Sequence, residues 1–287
     1  MLADSAISQP DSARTAEVPS SDGVVIRYEV RGEGDPTLVF IHGWCCNRTF
    51  WEPQLAFFAK THRVVALDLA GHGTSDSGRS KWTMEAFGRD VAAVVEHIGA
   101  NKVVLVGHSM GGAVMLEAAN LIGERLAGLV GVDTLTDPNE SYTATQMAEF
   151  RKPFEENFPK AMREALHHEH DFFGEKTESA LKDRITATMT AASADMGVGA
   201  FQGMLDFANE RQRPLMSEIK VPFICINARR NQEKVDDGKK HAPQFEVVTI
   251  PDSGHFLMME YPEQFNTALA GIITDMVGGA KPIESSP

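Results

Sequence analysis

Cysteine is scarce in this 287-residue sequence: there are 3, two of them the neighbours Cys45 and Cys46. So few thiols build no disulfide framework, and the chain is expected in a reducing cytoplasm. Positive charge is short as well. Against 40 Asp and Glu stand 27 Lys and Arg, a net charge of −13, which argues against nucleic acid or an anionic membrane as partner, since both require a basic patch. No apolar run approaches the length of a membrane span. Residues Met1 to Val18 lack the basic start and apolar stretch of a secretory signal and are expected to form a leader without structure. There is no internal repeat, and low complexity is confined to the termini. What remains is ordinary globular composition, 43% hydrophobic and 23% charged, long enough for one α/β core with an insertion.

The chain is organised around Val103-Val104-Leu105-Val106 followed by Gly107-His108-Ser109-Met110-Gly111-Gly112. Four apolar residues in a row read as a strand buried on both faces of a parallel sheet. Ala113 to Ala119 then reads as a helix. A serine on so sharp a turn needs small neighbours, which Gly107 and Gly111 supply, and its hydroxyl then projects from the sheet edge. The helix start adds oriented N–H groups beside any oxyanion that develops there. Ser109 is therefore the candidate nucleophile, and its neighbour His108 a candidate pocket residue.

This strand–turn–helix motif resembles that of the α/β-hydrolase family, and the flanking sequence extends the likeness over roughly residues 20 to 277. Val24 to Val30 alternates as an edge or antiparallel strand does, and Thr37 to Ile41 is a buried strand that runs into His42-Gly43-Trp44. The resemblance implies that the backbone N–H groups of Trp44 and Met110 form an oxyanion hole, with Trp44 also lining the pocket. His42 is expected to be satisfied locally. Cys45 and Cys46 lack a nucleophile's setting and are expected to be small buried or rim residues. Val64 to Asp68 is a further strand, and Asp68-Leu69-Ala70-Gly71-His72-Gly73-Thr74-Ser75 resembles the family's next turn, in which Asp68 and His72 would hold backbone in place. A helical period over Lys81 to Ile98 leads back to the nucleophile strand.

A serine nucleophile needs a base and an acid to orient that base. His255, in Pro251-Asp252-Ser253-Gly254-His255-Phe256 after the strand Phe245 to Ile250, resembles the family's catalytic histidine. The acid leaves alternatives. The family most often carries it after the strand that Val221 to Ile226 would form, but Asn231 stands at that place, with Glu233, Asp236 and Asp237 nearby at other spacings. Some members carry it one strand earlier, at the position of Asp133, which ends Leu129-Val130-Gly131-Val132. Asp133 is the favoured acid, Asp236 or Asp237 the alternative. Either keeps the order Ser, acid, His.

Between Asp133 and Val221 the strand pattern stops, and helical stretches appear over Thr145 to Phe158, Pro159 to His168, Glu178 to Ala191 and Gly199 to Ala208. They are read as a helical cap over 136–218, inserted after the sixth strand of a core spanning 19–135 and 219–277, with a tail at 278–287. Phenylalanines and methionines of the cap are expected to hold it to the core and in part to face the cavity. His167, His168 and His170 form no metal site, because no further ligands are evident. The fold class expected is α/β, a mostly parallel sheet flanked by helices. The activity implied is hydrolysis of a small to medium apolar carboxylic ester through an acyl-enzyme, with no cofactor or metal. The chain would act as a monomer or homodimer on a small molecule. The same triad also serves carbon–carbon bond hydrolysis and lactone opening; Arg229 and Arg230 would favour the carbon–carbon reading if they face the pocket. A weakly catalytic, ligand-binding member is the reading from outside enzymology, supported by Asn231 alone.

Overall fold

The computed structural model describes residues 13–168, 172–229 and 232–278. In chain order the strands are β1 (Arg14–Pro19), β2 (Val25–Arg31), β3 (Thr37–Ile41), β4 (Val64–Asp68), β5 (Val103–His108), β6 (Leu126–Val132), β7 (Phe223–Asn227) and β8 (Phe245–Thr249). They form one sheet in the order β1-β2-β4-β3-β5-β6-β7-β8. From β3 onward all neighbours are parallel, and every residue of β3, β4, β5 and β7 is buried. That is why these strands read as unbroken apolar runs, whereas β2, antiparallel to β1 and β4, alternates.

Helices cover both faces: α1 (Glu52–Phe58), α2 (Met84–His97) and α3 (Met110–Ile122) before the insertion, then α8 (Gln232–His241), α9 (Leu257–Glu260) and α10 (Pro262–Gly278) after it. The insertion itself holds α4 (Ala144–His168), α5 (Ser179–Thr190), α6 (Ala194–Glu210) and α7 (Gln212–Glu218). Helix α4 breaks at Asn157, whose φ of −157° and ψ of 87° leave the helical region. Pro159 lacks the N–H an unbroken helix would use there, and Asn157 Oδ1 restarts the second half by accepting the Lys160 N–H at 3.1 Å. The boundary expected between Phe158 and Pro159 thus appears as a kink. No helix among the described residues is long and apolar enough to cross a membrane.

The leader expected over 1–18 needs correction. Residues 1–12 lie outside the described residues, but Arg14–Pro19 pairs with β2 from Arg14↔Val30 to Pro19↔Val25. Only Ala16 and Val18 of this strand pack against the core, so an edge strand with two small inward residues left almost no apolar signal. Helices α7 and α8 leave little periodic signal in the sequence: α7 is a single short segment, and α8 buries only Val235 and Gly238.

One buried ion pair ties the loop after β4 to α2. Arg79 meets Asp90 through Nη2 at 2.6 Å and Nη1 at 3.0 Å, with side chains 3% and 0% exposed. Asp90 also accepts the Ala70 N–H at 3.2 Å. Removing one partner strands the other charge in a dry interior, which costs about 3–5 kcal/mol. Arg79→Met is therefore expected to lower the urea-unfolding free energy by that amount; a loss below about 1 kcal/mol would place the pair in water.

Candidate active site

Ser109 stands at the carboxyl end of β5 with φ 52° and ψ −120°, a left-handed conformation that costs a residue with a side chain. Its neighbours make the turn sterically feasible. A Cβ on Gly107 would lie 2.3 Å from the carbonyl oxygen of Gly111, and one on Gly111 would lie 2.5 Å from that of Ile41. Helix α3 can thus start directly against the ends of β5 and β3. Thr134 Oγ1 donates to the Ser109 carbonyl at 2.7 Å, and Ser109 N–H donates to Val132 O at 3.0 Å, so the strained turn is held from β6.

His255 and Asp133 come together across 122 residues of sequence: the imidazole Nδ1–H donates to Asp133 Oδ2 at 2.6 Å. The other carboxylate oxygen accepts the Ala228 N–H at 3.0 Å. Asp133 therefore leaves β6 but is fastened beyond the end of β7, the place from which the family more often supplies its acid. Burial opposes its ionisation, but the hydrogen bond and charge of His255 and the Ala228 N–H outweigh it and hold the carboxyl below its ordinary value. Asp236 and Asp237 sit elsewhere, on α8. Asp236 is bonded to Gln232 at 2.7 Å, and Asp237 pairs with Lys240 and accepts from Asn139. Asn231 and Arg230 lie outside the described residues.

The lowered carboxyl predicts a pH effect whose sign is fixed by linkage. Its stabilisation is complete above the unfolded value of about 4 and is lost as pH falls through the lower folded value. The stability gap between the protein and Asp133→Asn should accordingly narrow from pH 7 to pH 3 in urea titrations. A gap that widens toward acid would mean that Asp133 is not stabilised as an anion.

Three contacts that hold the histidine loop were not legible in the sequence. His108 Nε2–H donates to the His255 carbonyl at 2.9 Å. Burial and the nearby His255 depress the His108 pKa to about 3, so this ring is neutral. The His255 N–H donates to Phe172 O at 3.1 Å. Glu260 accepts backbone N–H groups of Gly174, Gly254 and Phe256 and the Thr177 hydroxyl, which clamps the loop to the cap.

Trp44 lies in the loop after β3. A Cβ on its neighbour Gly43 would lie 3.1 Å from Ser109 Cβ, so this loop runs beside the serine. The Trp44 indole N–H donates to Gly197 O of α6 at 2.8 Å, and its ring packs on Phe154 and Phe201, each with centroids 5.1 Å apart. Met110 opens α3, where a first N–H has no acceptor within the helix. His42 donates to Gly43 O and accepts the Leu69 N–H, and Asp68 accepts from Arg48 and Thr74, so both hold backbone. Cys45 and Cys46 are buried, and burial raises both thiols, which removes them as nucleophiles at neutral pH.

Ser109, His108, His255 and Trp44 line one cavity of about 700 Å³ beneath the cap. Its walls are largely aromatic and thioether side chains, among them Phe154, Phe172, Phe201, Met189 and Met204. Among the described residues, the only Asp, Glu, Lys or Arg side chains on them are Glu140 and Glu164. Among the described residues no group of three or more His, Cys, Asp or Glu could hold a metal ion; His168, Glu169 and His170 fall outside those whose side chains are described.

The Alpha/beta hydrolase family model matches residues 38–268. The chain belongs to this family. It is 26% identical over 249 residues to a dihydrolipoyllysine-residue acetyltransferase component of an acetoin cleaving system from Pseudomonas putida, covering 86% of this chain but only 65% of that protein. An AB hydrolase superfamily protein of Bacillus subtilis is 24% identical, with 88% and 97% covered. Among solved structures, a thermophilic esterase from Thermogutta terrifontis superposes with a TM-score of 0.75 at 24% identity, over 92% of this chain and 99% of that one. That last likeness speaks for the fold alone.

Proposed function

We propose that this α/β-hydrolase cleaves carboxylic esters of small to medium apolar substrates through an acyl-enzyme. The observation that carries the reading is the hydrogen bond from His255 Nδ1 to an ionised Asp133, with His255 and the strained Ser109 lining one cavity. In this reading His255 takes the Ser109 proton through Nε2, the nitrogen turned away from Asp133, while Oγ attacks the ester carbonyl. The backbone N–H groups of Trp44 and Met110 receive the oxyanion, each worth about 3 kcal/mol to the transition state. His255 then protonates the leaving oxygen, and water, deprotonated by the same imidazole, releases the acid. Asp133 orients the ring and stabilises its positive charge.

The character of the cavity supports an uncharged substrate. No lysine or arginine faces it among the described residues, whereas Arg229 lines a separate surface pocket beside Asp252. That weakens the carbon–carbon reading, which calls on a cation to hold a substrate carboxylate. The test is hydrolysis of a chain-length series of p-nitrophenyl esters, with Ser109→Ala beside it. Turnover that vanishes in the variant is expected, and the preferred chain length would gauge the cavity. Folded protein that turns over none of the series would overturn the proposal.

A further inference from the structure

Cap and core meet backbone to backbone beside His255. The cap segment 172–177, which leads into α5, lies against the loop 251–256 that carries the histidine. A Cβ on Gly254 would lie 2.5 Å from the Gly174 nitrogen, and one on Gly174 would lie 2.5 Å from the Asp252 carbonyl oxygen, so glycine on both sides lets this seam close. Across it the His255 N–H donates to Phe172 O at 3.1 Å. Glu260 ties the two sides together. Its Oε2 accepts the Gly174 N–H at 2.9 Å and the Thr177 hydroxyl at 2.5 Å from the cap, and the Gly254 N–H at 3.1 Å from the loop. Its Oε1 accepts the Phe256 N–H at 3.2 Å. One carboxylate thus grips both chain neighbours of His255 and two donors of the cap. The loop needs such support: 251–256 belongs to no helix or strand, and Asp252 is held left-handed at φ 65°, a conformation that persists only where the surroundings impose it.

Phe172 belongs to the seam and to the cavity alike. It lines the cavity, its ring packs edge-on against the His255 imidazole with centroids 5.2 Å apart, and its carbonyl holds the His255 backbone. Glu260, Gly174 and Thr177 stand behind it, off the cavity wall. In the reaction proposed above the imidazole must face Asp133 with Nδ1 and Ser109 with Nε2 at once, and a misplacement of about 1 Å costs about 100-fold in rate. We propose that Glu260 is a positioning residue for His255 and that it acts through the cap: the segment 172–177 must be seated on the loop 251–256 for the imidazole to keep both alignments. The roof of the cavity is then also part of the mount of the base. It cannot lift at this seam during turnover without unseating His255.

The rate effect rests on the esterase reading; the alignment of His255 does not, and two measurements keep them apart. The first is the low-field ¹H resonance of the His255 Nδ1–H, which follows from its short bond to Asp133 and is assigned by its loss in Asp133→Asn. It is expected in the wild type, in Ser109→Ala and in Glu260→Gln, whose amide carbonyl can serve the three donors now on Oε2. It should be broadened away by solvent exchange in Glu260→Ala and in Gly174→Ala, which lifts the cap segment but leaves the carboxylate in place. The second is hydrolysis of p-nitrophenyl esters. In whichever of Glu260→Ala and Gly174→Ala folds with wild-type circular dichroism, kcat should fall by about 100-fold with KM nearly unchanged, and Glu260→Gln should restore most of the rate. A role in stability alone would lower the melting temperature and leave the resonance in place. A folded Glu260→Ala or Gly174→Ala that keeps the resonance and the rate would overturn the proposal. Wild-type protein that shows the resonance, loses it in these variants and yet hydrolyses no ester would instead remove the esterase reading and leave the positioning of His255 standing.

Discussion

Ser109→Ala is expected to lower kcat for p-nitrophenyl esters by a factor of about 10⁴ or more with the fold unchanged. The magnitude follows from what the substitution removes. In the proposed mechanism the base, the acid and the oxyanion donors all stay while the nucleophile is lost, and the Cys46 thiol on the cavity wall is buried and held protonated. Stability should be unaffected for an equally local reason. The strain at φ 52° comes from having a Cβ in a left-handed conformation, and alanine keeps that Cβ. The contacts that hold the turn, from Thr134 Oγ1 and to Val132 O, involve the backbone of residue 109 and survive. Steady-state assay and thermal melting of the same sample test both halves. A variant as active as the wild type would remove Ser109 from the chemistry.

Asp133→Asn is the second large effect, a loss in kcat of about 10⁴ with little change in KM. An asparagine can still accept the Ala228 N–H through its carbonyl oxygen, so the local backbone is kept. The group facing His255 Nδ1 at 2.6 Å then becomes either an amide that donates, which forces the wrong tautomer, or an uncharged acceptor, which cannot stabilise the imidazolium. Asp236→Asn and Asp237→Asn should stay within about two-fold of wild type, because surface changes of this kind leave the site intact. Their contacts are with Gln232, Lys240 and Asn139, away from the cavity. Full activity in Asp133→Asn with loss in either of the others would transfer the acid to α8.

The two predictions differ in how far the sequence could carry them. Ser109 is announced by its own neighbours. A buried strand, glycines at −2 and +2 and a helix beginning at once are all local requirements, so they are written within ten residues. The break in α4 is local too, since Pro159 forbids the hydrogen bond that would have crossed it. Asp133 has no such neighbourhood. As a strand-end aspartate it reads equally well as a turn former, and Asp236 and Asp237 lie closer in sequence to the position the family prefers. Its pairing with His255 exists because β6 and β7 are adjacent and parallel, which places the residue after one strand beside the backbone N–H after the other.

By itself, then, the sequence determined the parallel core, the strained turn at Ser109, the histidine loop and a helical insertion, because periodicity, glycine sterics and proline act over a few residues. Only the tertiary structure decided which carboxylate faces His255, that Arg14–Pro19 extends the sheet, and that Trp44 is tied to the cap through Gly197. The pairings of Asp133 with His255 and of Trp44 with Gly197 join residues 122 and 153 apart, brought to one place by burial of the core, and the edge strand carries too few inward apolar residues to announce itself. Nothing in a residue's immediate neighbours encodes such a meeting.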